Sequence, residues 1–332
     1  MSLGRIKEGR LCLEGGLEAA RASGLLRPEL TARNLATDLY MIYDLPGAEE
    51  HALAGMELAR RYGARASVIS QAGNLCYVLI MEGRWDEAVA LVAELGEPGD
   101  EASSSQDMLR MRLGHIAALR GDVATARGHQ APGRAWASSD DIQARSYYLA
   151  MEAVISRAAG DDRAALVAAD GAIQVALDGG IQLAHENLRT ALPEGIDAAL
   201  ALDNLDAAER MLAIVTARQP GEIPPFLRAH VARGQALVDA RRGRGGTVER
   251  GLLEAEQIFL VIGCPYWLAR TQLDRGEWLL SAGRMSDAAA DGTAAAVTFE
   301  ALAIPVLAMR ARSLGEREAV GHYRVVPLPA EA

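Results

Sequence analysis

The sequence has little of the residue types that strands and basic surfaces require. Aromatic residues make up 5% of the 332 residues, and Lys7 is the only lysine. Strands favour aromatic and β-branched side chains, whereas the apolar half of this composition consists mainly of Ala and Leu, the strongest helix formers. The composition therefore predicts an all-α protein.

Cysteines and long apolar runs are also scarce. Cys12, Cys76 and Cys264 are odd in number and far apart, so they predict neither a disulfide framework nor a metal motif. No apolar run approaches the ~18–20 residues that span a bilayer, and the start, Met1-Ser-Leu-Gly, has no signal-peptide pattern. These absences predict a cytoplasmic protein with no membrane partner.

The charge balance is acidic, with a formal net charge of -10. A nucleic-acid footprint needs clustered basic surface instead. The basic stretch Arg241-Arg-Gly-Arg-Gly-Gly246 has no predicted strand before it and falls at a repeat turn, where an elongated loop between helices is expected. We therefore expect no nucleic-acid partner, and RNA binding by helical repeats is kept as a disfavoured alternative.

A repeat runs along the chain, and its period fixes the architecture. A helix ends in Gly, a short polar turn follows, and a new helix opens with Ala about five residues later. The repeat positions are 36, 38, 39, 43, 40 and 40 residues apart, at Gly47, Gly83, Gly121, Gly160, Asp203, Gly243 and Gly283. Three further pairs lie 40 residues apart: Phe259 and Phe299, Pro265 and Pro305, and Arg270 and Arg310.

This repetition predicts a right-handed α-α superhelix, a solenoid of about seven helical hairpins over residues 1–316, with a flexible tail over 317–332. Hairpin turns are expected near residues 44–47, 83–85, 121–122, 160–161, 203–205, 243–247 and 283–285. Helices are expected near residues 4–22, 28–43, 48–62, 65–82, 85–95, 104–120, 122–136, 140–159, 161–178, 182–202, 205–218, 224–242, 247–262, 265–282, 285–302 and 305–316. Pro193 falls inside one of them and should kink or split it.

Two segments resemble the tetratricopeptide repeat (TPR) family, in which Leu and a small residue precede Gly, an aromatic residue and Ala. They are Leu75-Cys76 with Gly83, Trp85 and Ala88, and Leu113-Gly114 with Gly121 and Ala126. The period near 40 and the stretch Ala255–Arg270 look like the repeat regions of MalT-like (LuxR-type) regulators and actinobacterial adenylate/guanylate cyclase–ATPase–TPR proteins. This resemblance implies a bacterial signal-transduction or transcription-regulatory module.

The catalytic domains of those larger proteins have no counterpart in this sequence. It contains no Gly-x-x-x-x-Gly-Lys-Ser/Thr phosphate loop. The first helix is expected to be the second member of a hairpin, which would make the chain a fragment of a larger protein or a stand-alone relative. The family implies a protein or peptide partner, other domains of the parent, or a small effector.

Two aspartate pairs, Asp140-Asp141 and Asp161-Asp162, could ligate Mg²⁺. Both stand at predicted helix starts, where acids cap the helix and complement its dipole, and we prefer that interpretation. His185-Glu186 begins like a zinc motif, but Arg189 replaces the second His. We expect no catalytic residue, metal or cofactor, and a metal-dependent helical enzyme using the Asp pairs is the alternative.

The first helix of each tetratricopeptide hairpin lines a concave groove, and the resemblance places the candidate ligand residues there. Asn74 stands just before the Leu-small pair, where peptide-binding members carry an Asn that holds the peptide backbone. Asp38 and Arg112 occupy matching places in neighbouring repeats. Further wall residues are expected at Tyr77, His115, Arg145 and Tyr148. We therefore expect a non-catalytic module that binds its partner in this groove.

Overall fold

A computed structural model describes residues 6–96 and 104–319, and in these ranges the chain is all-helical, without strands. In chain order the α-helices are α1 (Ile6–Ala22), α2 (Leu26–Tyr40), α3 (Leu45–Arg61), α4 (Arg65–Met81), α5 (Trp85–Leu95), α6 (Ser104–Leu119), α7 (Val123–Gln130), α8 (Ile142–Ala158), α9 (Asp162–Asp178), α10 (Glu186–Ala201), α11 (Leu205–Thr216), α12 (Pro225–Arg241), α13 (Gly245–Val261), α14 (Pro265–Ser281), α15 (Met285–Ala301) and α16 (Pro305–Ala319). Two 3-10 helices follow α7 and α11, at Ala131–Ser138 and Pro220–Glu222.

Short polar side chains begin several helices. Asp122, Asp161 and Asn204 each accept a hydrogen bond from the backbone N–H three residues later, at 2.9–3.1 Å. Asp141 accepts two such bonds, from the N–H groups of residues 143 and 144. These caps satisfy backbone donors that the first turn of a helix leaves free.

Prolines stand where the repeat places them. Pro225, Pro265 and Pro305 are the first residues of α12, α14 and α16. Proline is tolerated at this position because its missing N–H would have no partner within the helix, and its fixed φ suits the first turn. The proline register therefore marks the start of every second helix in this part of the chain.

The even-numbered helices form one continuous layer, in which each contacts the next from α2 to α16. Each odd-numbered helix from α3 to α15 packs against the two even-numbered helices that flank it. In six of the hairpins the Ala of the repeat pattern in the second helix is fully buried, and its small side chain lets the helices approach closely. These residues are Ala52, Ala88, Ala126, Ala165, Ala208 and Ala288.

The layer of even-numbered helices curves until distant parts of the chain meet. The rings of Trp85 and Tyr266 lie 5.8 Å apart, and Nε of Arg120 donates a 3.1 Å hydrogen bond to the carbonyl oxygen of Leu302. Helix α10 lies at the centre of this arrangement, and all of its residues from Asn187 to Leu200 are buried. The interior is therefore enclosed where α5 and the end of α6 meet α14 and the end of α15.

Some predicted boundaries need correction. The predicted helix over 122–136 ends as an α-helix at Gln130 and continues as a 3-10 helix, since Pro132 has no N–H for the α-helical bond. Helix α10 begins at Glu186 instead of 182, and Pro193 does not split it. Helix α16 extends to Ala319, so residues 317–319 of the predicted tail are helical, and residues 320–332 lie outside the described ranges.

Candidate functional site

The structure brings five of the seven predicted groove residues together on α2, α4 and α6. The Asn74 amide donates a 2.8 Å hydrogen bond to the Asp38 carboxylate, and the Arg112 guanidinium lies 4.8 Å from the centre of the Tyr77 ring. His115 follows Arg112 by one turn of α6. With two residues of α10 they form what we call the Arg112 cluster: Asp38, Asn74, Tyr77, Arg112, His115, Glu186 and Arg189.

Arg112 is at the centre of this cluster and is 1% exposed. Its Nη2 donates a 2.5 Å hydrogen bond to Glu186, and the rings of Tyr77 and Tyr147 lie 4.8 and 5.0 Å from its guanidinium carbon. Burial raises the pKa of Glu186, but the charges of Arg112, His185 and Arg189 outweigh it and lower the pKa. The buried pair is therefore ionised and is enclosed by aromatic rings.

Arg189 connects α10 to the end of α2. Its Nη1 donates a 2.9 Å hydrogen bond to the carbonyl oxygen of Met41, which is 148 residues away in sequence. Its guanidinium carbon lies 5.0 Å from the centre of the Tyr77 ring, which Arg112 also contacts. Two buried guanidinium groups therefore share one tyrosine ring.

Two titratable groups of the Arg112 cluster have strongly shifted pKa values. Burial and the charge of Glu186 raise the pKa of Asp38 to about 7, against the opposing charges of Arg189 and Arg112. Burial and the charge of Arg112 lower the pKa of His115 to about 3. At neutral pH, His115 is therefore uncharged, and Asp38 is divided between its protonated and its ionised form.

The other two predicted groove residues lie on α8 and do not join the cluster. Tyr148 is half-buried and packs against the apolar cluster around Met111 and Tyr147. Arg145 is also half-buried, and its Nε has no hydrogen-bond partner among the described residues. The even-numbered helices thus carry all seven candidates, but only those of α2, α4 and α6 meet.

A second buried group of charges, the Asp197 network, joins α10, α12 and α14. Arg233 donates to both carboxylate oxygens of Asp197, at 2.6 and 3.2 Å, and its Nε donates to Asp274 at 2.7 Å. Arg270 donates to Asp197 at 3.3 Å. Burial raises the pKa of Asp197, but the charges of Arg233, Arg270 and Arg157 outweigh it and lower the pKa. The network consists of Asp197, Arg233, Arg270 and Asp274.

A cavity of about 30 Å³ lies between the Arg112 cluster and the Asp197 network. Its polar walls are His115 from α6 and Arg189, Thr190 and Glu194 from α10. Its apolar walls come from α4, α6, α12 and α14, at Tyr77, Ile80, Met81, Leu119, Phe226, Tyr266 and Trp267. A cavity of this size holds water or a small group of atoms.

Two residues that line this cavity, His115 and Arg189, and two that belong to the surroundings of Arg112 have buried polar atoms without a hydrogen-bond partner among the described residues. They include Nε of Arg112, Nδ1 of His115 and Nε of Arg189, and the hydroxyl of Tyr147 is in the same state. A buried polar group that lacks its partner costs about 1–3 kcal/mol. Each of these atoms can take part in a hydrogen bond, so a bound ligand or water would supply a partner that the described residues do not.

The Asp pairs do not form a metal site. Asp141 and Asp161 are helix caps, as preferred from the sequence, and Asp162 pairs with Arg157. Within residues 6–96 and 104–319, no group of three or more His, Cys, Asp or Glu side chains is placed to hold a metal ion. In the same ranges, no helix has both the length and the apolar character needed to cross a membrane.

Sequence reasoning missed the contribution of α10 to the site. Glu186, Arg189 and Asp197 repeat at three- to four-residue multiples along a helix otherwise rich in Ala and Leu, which places them near one face. Charged residues on a helix of this composition indicate a buried polar site. This signal is present in the sequence, but Glu186 and Arg189 were considered only as parts of an incomplete zinc motif.

Comparison with known proteins gives little guidance. No family model matches the chain, and no curated protein matches it. Among solved structures it is similar to BtubC (BKLC) from P. vanneervenii, with a TM-score of 0.34 and 14% sequence identity over 86% of this chain and 95% of that one. Such a weak similarity supports no statement about function.

Proposed function

We propose that the chain is a non-catalytic binding module of a bacterial signalling or transcription-regulatory protein, built of tetratricopeptide-like hairpins in a right-handed superhelix. Its site of action is the cytoplasm, and its ligand binds in the interior between α4, α6, α10 and α14. The continuous layer of even-numbered helices and the buried Ala found in six of the hairpins support the architecture. Both features are typical of stacked hairpin repeats.

The observation that carries this proposal is the set of unpartnered polar atoms in the Arg112 cluster. Arg112, His115 and Arg189 are each 8% exposed or less, and each has a nitrogen without a hydrogen-bond partner among the described residues. A fold selected only for stability fills its interior with apolar side chains, because unsatisfied polar groups are costly there. Retaining such groups is typical of a binding site.

The shape of the interior favours a small effector over a long peptide. An extended peptide needs an open path along the layer of even-numbered helices. Here Trp85 contacts Tyr266, and Arg120 bonds to Leu302, so α5 and the end of α6 close that path against α14 and the end of α15. The cavity beside Arg189 combines mostly apolar walls with a few polar groups, a lining that small-ligand sites share, and its volume of about 30 Å³ limits the effector there to a very small molecule or to one end of a larger one.

The proposal can be tested with the purified chain and a panel of small metabolites and short peptides. Binding is followed by tryptophan fluorescence, to which Trp267 at the cavity contributes together with the three other tryptophans, and the location of binding is followed by hydrogen exchange. We expect a ligand to slow exchange in segments 77–81 and 186–194. Glu186→Gln should weaken the binding of that ligand. Glu87→Gln, which changes an exposed glutamate paired with Arg84, should leave the binding unchanged. Ligands that protect only odd-numbered helices, or equal affinity in both variants, would contradict the proposal.

A further inference from the structure

The turn between α4 and α5 is pressed against a distant part of the chain. Gly83 has a φ of 74°, and a Cβ added there would lie 2.8 Å from Cγ of Pro265 and 3.1 Å from Cδ2 of Leu302. The other nine described glycines with positive φ have no atom within 4 Å of such a Cβ. The ring contact of Trp85 and the hydrogen bond of Arg120 join the same two parts of the chain. We call these six residues the closing contact: Gly83, Trp85, Arg120, Pro265, Tyr266 and Leu302.

The helices on the two sides of the closing contact do not pack along each other. Successive helices of the chain pack closely, but none of the closely packed helix pairs in the described ranges joins α4, α5 or α6 to α14 or α15. In a stack of hairpins each unit is supported by its neighbours, and small changes in packing angle accumulate into a large change in curvature. The two sides can therefore separate while the packing of successive helices is kept.

The closing contact covers the cavity beside α10. Ile80 and Leu119 line that cavity, and Tyr266 belongs to both the cavity wall and the contact. Trp85 is fixed to the end of α4, because its Nε1 donates a 2.9 Å hydrogen bond to the carbonyl oxygen of Ile80. A cavity of about 30 Å³ holds about one or two water molecules. A larger molecule therefore binds there only when the walls move apart.

Resting on the proposed function, we propose that the closing contact is a gate: its two sides separate to admit the ligand, and the ligand then holds them apart. A molecule larger than the cavity binds only the open form, so it shifts the population towards that form. Occupancy of the interior is thus passed on as a change in the distance between α5 and α14.

Cys264 is a natural reporter of this gate. It precedes Pro265 in the chain and is 1% exposed. Burial raises the pKa of its thiol to about 12 against the charge of Arg189, and the charge of Glu82, on the opposite side of the gate, raises it further. Because the thiol lies between the two sides, a thiol reagent reaches it when the gate opens.

Cys76 is the internal control. It is 0% exposed, and its Sγ lies 3.9 Å from the carbonyl oxygen of Ala88, between the closely packed helices α4 and α5. Opening of the gate keeps these two helices together, so Cys76 stays covered until the chain unfolds more widely.

The test is labelling of the native chain with iodoacetamide at pH 8, followed for each cysteine by mass spectrometry. Cys264 should react at least about tenfold faster than Cys76, because the gate opens more often than the whole chain unfolds. Equal rates for the two cysteines would show that both react only through global unfolding, and the proposal would be overturned.

Two alanine variants separate the gate from the strain of a glycine turn. Gly83 and Gly160 have φ angles of 74° and 76°, so alanine is equally strained at both. Only Gly83→Ala forces Pro265 away, since no atom lies within 4 Å of a Cβ added at Gly160. Gly83→Ala should therefore speed the labelling of Cys264 at least about tenfold more than Gly160→Ala does, with Cys76 affected alike in both.

Equal acceleration of Cys264 labelling by the two variants would contradict the assignment of the gate to Gly83. Thermal melting shows whether each variant folds. The comparison of Cys264 with Cys76 in the wild type stands without either variant.

The outcome also separates this inference from the proposed function. A ligand that slows exchange in segments 77–81 and 186–194 should speed the labelling of Cys264 and leave that of Cys76 unchanged. If such a ligand binds and Cys264 is labelled no faster, the gate is wrong and the proposed function stands. If no ligand of the panel affects those segments while Cys264 is labelled selectively, the proposed function is wrong and the opening of the contact stands.

Discussion

Asp197 on α10 and Arg233 on α12 form a bidentate ion pair in the interior, with N···O distances of 2.6 and 3.2 Å. The side chains are 6% and 2% exposed. Geometry of this kind holds three helices in register, because Arg233 also donates to Asp274 on α14. Its contribution can be measured by removing one partner at a time.

Arg233→Met should lower the free energy of unfolding by about 3–5 kcal/mol, because it leaves the buried Asp197 with only Arg270, 3.3 Å away. Urea unfolding at pH 7 measures this loss. In the double variant Asp197→Asn/Arg233→Met the loss should be smaller than the sum of the single losses, because both charges of the ion pair are removed together. The remaining Arg270 still lies near the charge of Asp274.

Arg284→Gln is the matched control for that experiment. Arg284 is an arginine of the same repeat architecture that pairs with Glu249 and Asp287 at the surface. Exposed pairs contribute little, so this variant should unfold at nearly the wild-type urea concentration. If Arg233→Met proved as mild as Arg284→Gln, the Asp197 network would not be what fixes α10, α12 and α14.

The pH dependence of stability should report on Glu194. Its folded pKa of about 7 lies above the ordinary value of 4.5 because burial disfavours the charge. From about pH 4 to 7 the folded state therefore holds a proton that the unfolded state releases, so this group's stabilising contribution is present at low pH and is lost as the pH rises through 7. Glu194→Gln, which cannot ionise, should remove that part of the slope.

The free energy of unfolding of Glu194→Gln, taken relative to that of the wild type, should be about 1–3 kcal/mol higher at pH 8 than at pH 5. Urea unfolding of wild type and variant at pH 5, 6, 7 and 8 provides the measurement. Glu87→Gln, at an exposed position, should run parallel to wild type. Parallel curves for Glu194→Gln as well would show that Glu194 keeps an ordinary pKa in the folded protein.

Much of the helical fold could be predicted because its signals are local. Gly83, Gly121 and Gly160 adopt positive φ angles of 74°, 87° and 76° at the helix ends that the repeat marks. Pro265 and Pro305 begin helices as their register predicts. Each of these signals acts within one turn of the chain, so a single sequence is enough to detect it.

The candidate site could be predicted only in part because its contacts are not local. The resemblance put forward Asn74, Tyr77 and Arg112 as groove candidates, whereas Glu186 and Arg189 contact Arg112 and Tyr77 from a distant part of the chain. Those contacts depend on how sharply the layer of even-numbered helices curves. Curvature is the accumulated result of many small packing angles, and no single residue type encodes it.

Ala303 offers a test of the helix ends, because it adopts a φ of 58° where most other turns have Gly. An L-residue with a side chain is strained in this left-handed region. Ala303→Gly should therefore raise the free energy of unfolding by about 0.5–1 kcal/mol, after part of the gain is offset by the greater freedom of the unfolded chain.

Gly283→Ala is the reverse experiment. Gly283 has a φ of 79° at the preceding turn, and no atom would lie within 4 Å of an added Cβ, so only backbone strain changes. The variant should lose about 1–2 kcal/mol in thermal or urea unfolding. Opposite signs for the two substitutions are the expected result, and destabilisation by both would mean that Ala303 contributes packing that outweighs its strain.

Arg120 contributes to the closure of the interior, because its Nε donates to the carbonyl oxygen of Leu302 and its Nη2 donates to Asp86 at 2.7 Å. Arg120→Met removes one of the connections between these segments, the hydrogen bond between residues that lie 182 positions apart. We expect faster hydrogen exchange in both 80–86 and 299–305, because each segment loses the support of the other. Arg310→Met breaks only the exposed pair with Glu277 and should leave 80–86 unchanged. Faster exchange at one segment alone in Arg120→Met would mean that the two segments open independently and that the interior is not closed there.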